Sequence, residues 1–311
     1  MRWPIYSIKF WIALISVIIL VFLPLVSSSY FVRVLTYVFM WITLAESITV
    51  IYGYIGRVDF GHVAFFGIGG FTTAILLLHT SIPWPLILIL SGICVSVVAF
   101  VIGLPTLRLA GSYFAIATWA LAEALKQLFV ITPITGGSYG LVVPPILTST
   151  QCYWLMILCA VGMILTNFTI ERSKIGYAFR SIKGSEIAAW TTGVDVVKYR
   201  LIGFMISAFF PGIVGGIYSI LIGYVYSYDL FASLKSDQMF IMALLGGAEH
   251  FLGPIIGAVL LVVSLEILWT YFTEILYLVF LGAILVLIIM FIPQGIIGLL
   301  KERRKEKPKK S

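Results

Sequence analysis

Successive apolar runs of about 20 residues limit the fold of this chain more than any other feature. A helix needs about 20 mainly apolar residues to cross the hydrocarbon core of a bilayer. The runs are continuous and do not alternate with a period of two, so they predict helices and not barrel strands. Ten candidate spans follow: 10–27, 31–53, 60–80, 85–103, 110–131, 152–170, 201–222, 237–250, 254–272 and 275–293.

The composition agrees with a chain that lies mostly in lipid. Only 11% of the 311 residues are charged and 61% are hydrophobic, whereas soluble domains carry about 25% charged residues. The predicted fold is an all-α, polytopic transmembrane helical bundle with eight to ten spans. Segment 237–250 is short for a crossing and is compatible with a re-entrant helix. Span 10–27 could be a signal peptide, but it lacks a convincing small-residue cleavage site, so we expect it to be retained.

Basic residues are concentrated in two places beside predicted spans. The final segment, KERRKEKPKKS, holds seven of them, and segment 171–200 holds six. Such clusters are retained in the cytoplasm. We therefore predict a transmembrane domain over 1–300 with a cytoplasmic loop at 171–200, a basic cytoplasmic tail at 301–311, and both termini in the cytoplasm. The tail is also expected to contact anionic membrane lipid. This distribution explains the net charge of +7 without a nucleic-acid partner.

Several kinds of site are not expected in this chain. No Gly-x-x-x-x-Gly-Lys-Ser/Thr phosphate loop occurs in the sequence, so ATP is not bound by that route. The three cysteines, Cys94, Cys152 and Cys159, have neither metal-ligand spacing nor a disulfide pattern. The sequence predicts no catalytic, cofactor-binding or metal-binding residue.

Glycine clusters occur once in each half of the chain, over 53–74 and over 242–260. Small residues allow helix backbones to approach closely in lipid. Segments interrupted by Gly or Pro in corresponding halves also indicate a transporter's pathway. The two clusters therefore favour a transporter, although tight helix packing alone would explain any single glycine.

Polar side chains within predicted spans are costly in lipid and usually face a partner or a cavity. Thr118 is also expected to bond back to its own helix. Asp59 and His62 could be the acid/base pair of a membrane enzyme, and Glu46, Asp59 or Glu123 could couple an ion gradient to a secondary transporter. The candidates for a translocation pathway are Glu46, Thr49, Asp59, His62, Thr118 and Thr135.

Six motifs, in order along the chain, carry a family resemblance. They resemble branched-chain amino-acid ABC transporter permeases, most closely the LivM-type subunit, over residues from about 44 to 300. The motifs are GYIGRVDFGHVAFFGIGGFTTAILL from 53, LRLAGSYFAIATWALAEAL at 107–125, TGGSYGL at 135–141, SKIGYAFRSIKGSEIAAWTTGVDVVKYRLIGFMISAFFPGIVGGIYSILIGYV at 173–225, GGAEHFLGPIIGAVLL from 246 and FIPQGIIGLL at 291–300.

The resemblance implies a permease subunit in the plasma membrane that forms half of a pathway and works by alternating access. It implies ATPase subunits that bind ATP and Mg²⁺, a second permease subunit that is a different chain, and an extracytoplasmic substrate-binding protein. Where the family often has Ser, this chain has Asp59, and Glu249 and His250 follow its glycine pair. Urea, short amides or other small polar solutes therefore stay open as alternative substrates.

The resemblance also assigns a role to the basic loop. Glu186, Ala188, Ala189 and Gly193 stand in the place of the family's "EAA" segment, which forms a short coupling helix that docks on an ATPase subunit. Arg180 is assigned to the same surface.

The residues themselves agree with a short helix at this position. Ser185 is a plausible N-cap, and Glu186 just inside the helix is favoured by the helix dipole. Ala188 and Ala189 are expected to keep one face small, and Gly193 is expected to end the helix.

Overall fold

A computed structural model describes residues 20, 23–25, 27–109 and 111–271, together with 279, 282–283, 286, 290 and 295–298. Candidate spans 10–27 and 275–293, the motif at 291–300 and the tail at 301–311 lie wholly or largely outside these residues. What the sequence predicts for them stays a prediction.

The described part of the chain is helical apart from one pair of two-residue strands and the connecting turns. The strands are β1 (Leu141–Val142) and β2 (Tyr224–Val225). The helices are α1 (Ser29–Thr49), α2 (Val63–His79), α3 (Trp84–Thr106), α4 (Ser112–Ile131), α5 (Ser149–Arg172), α6 (Lys174–Gly184), α7 (Glu186–Thr191), α8 (Val196–Ile222), α9 (Ser227–Leu230), α10 (Ser233–Gly246) and α11 (Gly253–Tyr271).

Five helical segments in the described residues are long and apolar enough to cross a membrane. They are Ser29–Ile55, Trp84–Thr106, Ser112–Ile131, Ser149–Arg172 and Val196–Ile222. Two shorter apolar helices, Val63–His79 and Gly253–Glu266, lie between and after them. The predicted all-α, polytopic bundle is confirmed, and the chain is a multi-pass membrane protein.

Helix α10 corresponds to the segment for which a re-entrant helix is predicted, but it begins four residues earlier, at Ser233. Its 14 residues extend for about 21 Å, which is less than the roughly 30 Å of a hydrocarbon core. Most of its side chains are buried. This length agrees with the prediction that the segment is short for a crossing, and its re-entry into the membrane stays a prediction.

The bundle has two distinguishable ends. At one end, β1 and β2 pair antiparallel, with Leu141 opposite Val225. Strand β2 directly follows α8, whose 27 residues place its two ends about 40 Å apart. Helices α6 and α7 precede α8 and lie at the other end of the bundle.

Close helix packing in the centre depends on glycine. Gly69 of α2 lies against Gly212 of α8, and a Cβ added at Gly69 would overlap the Gly212 carbonyl oxygen. Such backbone contact is typical of membrane helices, where association depends on close packing. The tight pairing of α2 with α8 therefore requires glycine at position 69.

Both glycine clusters predicted from the sequence interrupt helices. Helix α1 continues as a π-helical turn over Val50–Ile55 and ends at Gly56, whose φ is +81°. Residues 56–62 are not helical, and α2 begins only at Val63. In the other half, α10 ends at Gly247 with φ +102°. The two interruptions touch, because Gly53 packs against the carbonyl of Ala248.

Candidate functional site

Helix α7 has a defined start and a defined end. The Ser185 side chain accepts a hydrogen bond from the Ala188 amide, as an N-cap does. Gly193 follows the helix with φ +85°, its amide donates to the Trp190 carbonyl, and the Val194 amide donates to the Ala189 carbonyl. These two bonds form a Schellman motif. The predicted cap and the predicted helix end are both confirmed.

The exposed face of α7 differs from the face expected from the sequence. Ala188 is exposed, whereas Ala189 is fully buried within the chain, so only one of the two alanines lies on the outer face. Two large apolar side chains lie there instead: Ile187 and Trp190 are 77% and 72% exposed. Ile187 and Trp190 are visible in the sequence, but only the orientation of the folded helix shows which side chains face the bundle and which face outward.

Arg180 lies one helix earlier, on α6. Its Nη2 donates to the Glu171 carbonyl oxygen at 2.9 Å, and its guanidinium stacks 4.9 Å from the Tyr177 ring centre. The residue is exposed at the same end of the bundle as α7.

Gly193 provides a direct test of the α7 boundary. An added Cβ meets no atom within 4 Å there, so Gly193→Ala should cost only the strain of a left-handed alanine, about 1–2 kcal/mol. We expect a lower melting temperature for purified Gly193→Ala in detergent. The control is Gly184→Ala, also in open space but with an ordinary φ; equal melting temperatures for the two variants would contradict this end of α7.

Glu186 lies in an ion cluster that the sequence did not reveal. Its Oε1 accepts from Arg57 Nη2 at 2.7 Å and also contacts Arg200 Nη2. Arg57 follows the π-helical turn, and Arg200 is in the first turns of α8. The cluster therefore places α7 at the same end of the bundle as the interruption after α1.

A second link joins the same regions. Lys183, at the end of α6, donates to the Gly53 carbonyl oxygen at 2.9 Å and to Glu249 Oε1 at 2.8 Å. Helix α6 therefore contacts both glycine clusters at the point where they meet.

Asp59 and His62 form a buried polar centre in the non-helical segment. Asp59 Oδ2 lies 3.0 Å from His62 Nδ1, and Oδ1 accepts from the Gly61 amide at 2.9 Å. His62 Nε2 lies 2.9 Å from Ser47 Oγ, whose own proton goes to the Leu44 carbonyl. Both ring nitrogens of His62 therefore have a partner, Ser47 Oγ at Nε2 and Asp59 Oδ2 at Nδ1. All the polar groups of this centre are satisfied inside the chain.

The amino end of α2 begins at this centre. The Val63 amide donates to Ser236 Oγ of α10 at 2.9 Å. Two short helices thus meet through a side-chain cap in the interior of the bundle. Ser236 and Ser47 were not predicted, because single serines in apolar helices carry no distinctive sequence pattern.

Glu46 is fully buried between α1 and α5. Its Oε2 and its backbone carbonyl both accept from Asn167 Nδ2, at 2.5 and 2.9 Å. Glu123, the other glutamate considered for ion coupling, contacts Ser233 and Lys126. Both oxygens of the Glu123 carboxylate thus have a partner, whereas Glu46 is paired through Oε2 and its Oε1 has no hydrogen-bond partner among the described residues.

The three threonines proposed for the pathway bond to nearby backbone. Thr49 Oγ1 donates to the Ala45 carbonyl at 2.8 Å, and Thr118 Oγ1 to the Ala115 carbonyl at 3.0 Å. Thr135 Oγ1 donates at 2.6 Å to the Phe129 carbonyl. The predicted back-bond of Thr118 is confirmed, and the pathway role of all three stays a prediction.

A cavity of about 670 Å³ opens beside the interruption after α1. None of the six pathway candidates is in its lining, although Asp59 lies between two residues that are. The lining consists of Gly56, Arg57, Val58 and Phe60 from the non-helical segment, Gly111, Ser112, Ala115, Ile116 and Trp119 from the start of α4, and Phe240 from α10.

Comparisons with known proteins agree with this architecture. The family described as "Branched-chain amino acid transport system / permease component" matches residues 30–289. The chain is 28% identical to the high-affinity branched-chain amino acid transport system permease protein LivM of Salmonella typhimurium, and 28% identical to that of Escherichia coli. Each alignment covers 91% of this chain and 74% of the relative.

A third relative differs in its named substrate. The guanosine ABC transporter permease protein NupQ of Bacillus subtilis is 34% identical over 36% of this chain and 34% of its own length. The family match covers most of the chain, from α1 past α11. The chain therefore belongs to the permease-component family of branched-chain amino acid transport systems.

Proposed function

We propose that this chain is a permease subunit of an ATP-driven importer and forms half of the membrane pathway for branched-chain amino acids or a similar small solute. Separate ATPase subunits would bind ATP and Mg²⁺, and an extracytoplasmic binding protein would deliver the substrate. A second, different permease chain would complete the pathway. Family membership favours this function over an ion-coupled carrier or a membrane enzyme.

The observation that carries the proposal is the exposed apolar pair on α7. Lipid covers apolar side chains along the spans, but α7 belongs to none of the spanning segments. Exposed apolar patches at such positions mark interaction surfaces. A short helix that presents Ile187, Trp190 and the small Ala188 fits a groove on a partner protein, and the occupant that the family favours is the ATPase subunit.

The orientation of the chain in the membrane is inferred from the charges at the α7 end of the bundle. The basic residues of 171–200, together with Arg57, lie around α7, and positive charge beside spans favours the cytoplasm. We infer that this end is cytoplasmic, that the β1–β2 end is extracytoplasmic, and that both termini are cytoplasmic in a plasma-membrane protein. The basic tail would contact lipid on the same side.

The proposed mechanism is alternating access. Closure of the ATPases would move α7, and the helices that contact it would rock against the second permease chain.

The first experiment is purification of the chain from its native membrane with mass spectrometry of the proteins that accompany it. We expect ATPase subunits, a second permease and a binding protein. Titration of that binding protein with leucine, urea and guanosine then identifies the solute. A chain that purifies alone, and transports in proteoliposomes with an ion gradient and no ATP, would contradict the proposal.

The apolar pair supplies a sharper test. Replacing Ile187 and Trp190 with alanine removes two exposed anchors, and loss of a buried interface anchor typically costs about 2 kcal/mol or more. We expect the co-purified ATPase to fall by more than tenfold while the melting temperature of the permease is unchanged. The control is Tyr139→Ala, an exposed aromatic at the β1–β2 end, which should leave ATPase recovery unchanged. Equal recovery from both variants would exclude α7 as the docking helix.

A further inference from the structure

Glu186 begins α7, yet its carboxylate contacts the bundle. Oε1 lies 2.7 Å from Arg57 Nη2 and also contacts Arg200 Nη2. The Glu186 side chain is 48% exposed, whereas those of Arg57 and Arg200 are 7% and 6% exposed. The carboxylate is therefore held by two groups of its own chain.

The charges in this cluster make Glu186 more than a surface contact. Two guanidinium groups lie close together, and each stays protonated in proteins. Burial strengthens their mutual repulsion. The shared carboxylate offsets it, so Glu186 holds both arginines in place and is itself held by them.

Both arginines also reach the turn between α3 and α4. Arg57 Nη1 donates to the Leu109 carbonyl oxygen at 2.8 Å, and Arg200 Nη1 to that of Leu107 at 3.5 Å. The cluster therefore joins four parts of the chain: the end of α1, the α3–α4 turn, α7 and the start of α8.

Arg57 belongs at the same time to the lining of the cavity. Gly56, Arg57, Val58 and Phe60 line it, and the intervening Asp59 holds the Gly61 amide and the His62 ring. A displacement of the Arg57 side chain is thus applied directly to the segment that forms the cavity wall.

We propose that Glu186 is a positioning residue that ties α7 to the cavity wall through Arg57, and that this ion cluster transmits the displacement of α7 to the pathway. The inference rests on the proposed function, since it assumes that a partner moves α7. It divides the helix into two roles: Ile187 and Trp190 face the partner, and Glu186 faces the bundle. Docking and transmission are then separable by mutation.

The test uses the assembled transporter in proteoliposomes, with leucine uptake and ATP hydrolysis measured together. Glu186→Gln keeps the shape of the side chain and removes its charge. We expect normal ATPase recovery and continued ATP hydrolysis, with leucine uptake per ATP reduced about tenfold or more, a typical size for coupling between sites. Arg57→Gln should have a similar effect, and the double variant should be no worse than either single one, as residues in one network behave.

The matched control is Asp195→Asn. Asp195 is another acidic residue of the same loop, and it caps α8 through a bond to the Lys198 amide that asparagine can also accept. This variant should leave uptake per ATP unchanged. Glu186→Asp keeps the charge on a shorter side chain, so its uptake per ATP should lie between those of wild type and Glu186→Gln. If the glutamine variant fails to fold, the aspartate variant is measured in its place.

Three results would overturn the proposal. Loss of ATPase recovery in Glu186→Gln with an unchanged melting temperature would mean that Glu186 contacts the ATPase. Unchanged uptake per ATP would mean that the cluster transmits nothing. A parallel fall in hydrolysis and uptake would mean that Glu186 only stabilises the fold.

A measurement on the permease alone separates this inference from the proposed function. Hydrogen exchange at the amides of residues 56–62 should be about tenfold faster in Glu186→Gln than in wild type or Asp195→Asn, because the segment loses its tether. That result can hold even if no ATPase binds the chain. Unchanged exchange at 56–62 would contradict the tether itself.

Discussion

Replacing Asp59 with alanine is expected to destabilise the folded permease by roughly 2–6 kcal/mol. The change leaves two buried groups without their partner, the Gly61 amide and His62 Nδ1, and each such loss costs about 1–3 kcal/mol. Neither group can reach water, because His62 is fully buried. Chemical unfolding in mixed micelles measures the difference.

Asparagine at the same position is the control. Its Oδ1 can accept from the Gly61 amide, and its side-chain NH₂ can donate to a neutral His62 Nδ1, so the shape and both bonds are retained. We expect Asp59→Asn to keep most of the stability lost in Asp59→Ala. If Asp59→Ala unfolds at the same denaturant concentration as the wild type, the buried centre does not stabilise the fold.

The second large effect is expected from Gly69→Ala. The new methyl group would overlap the Gly212 carbonyl oxygen of α8, and neither helix backbone can move away without loosening its other contacts. Overpacking in a close-packed interior costs about 1–3 kcal/mol and occasionally more, and we expect about 3 kcal/mol because the clash is with backbone. The measurement is the melting temperature and the monodisperse yield in detergent.

Gly184→Ala provides the comparison for this prediction as well. An added Cβ there meets no atom within 4 Å, so the same chemical change should be neutral or slightly stabilising in a helix. If Gly69→Ala were equally well tolerated, α2 and α8 could not be packed backbone against backbone.

The buried Glu46 shows what a polar residue in a predicted span can and cannot reveal about its surroundings. A charged residue deep in a span predicts a partner or a cavity, and Glu46 has a partner, Asn167, 121 residues away. The pairing joins α1 to α5 and leaves Glu46 outside the cavity lining. Sequence alone could not decide between these outcomes, because a partner side chain and a cavity each lower the free-energy cost of a polar group in a span.

The sequence by itself determined the features that arise from local pattern. Apolar runs predict the helices because length and hydropathy are properties of single segments. The limits of α7 follow from Ser185 and Gly193, since caps act over three or four residues. The glycine clusters likewise predicted where helices are interrupted. The order of the motifs predicted the family.

Only the tertiary structure decided which residues face one another. Glu186 and Arg57 are 129 residues apart in the chain, and no local rule pairs them. Ala188 and Ala189 are adjacent and chemically identical, yet one is exposed and the other buried, because the direction of α7 is set by its contacts with α6 and α8. The inner and outer faces of this helix, and so the separation of docking from transmission, depend on packing between distant segments.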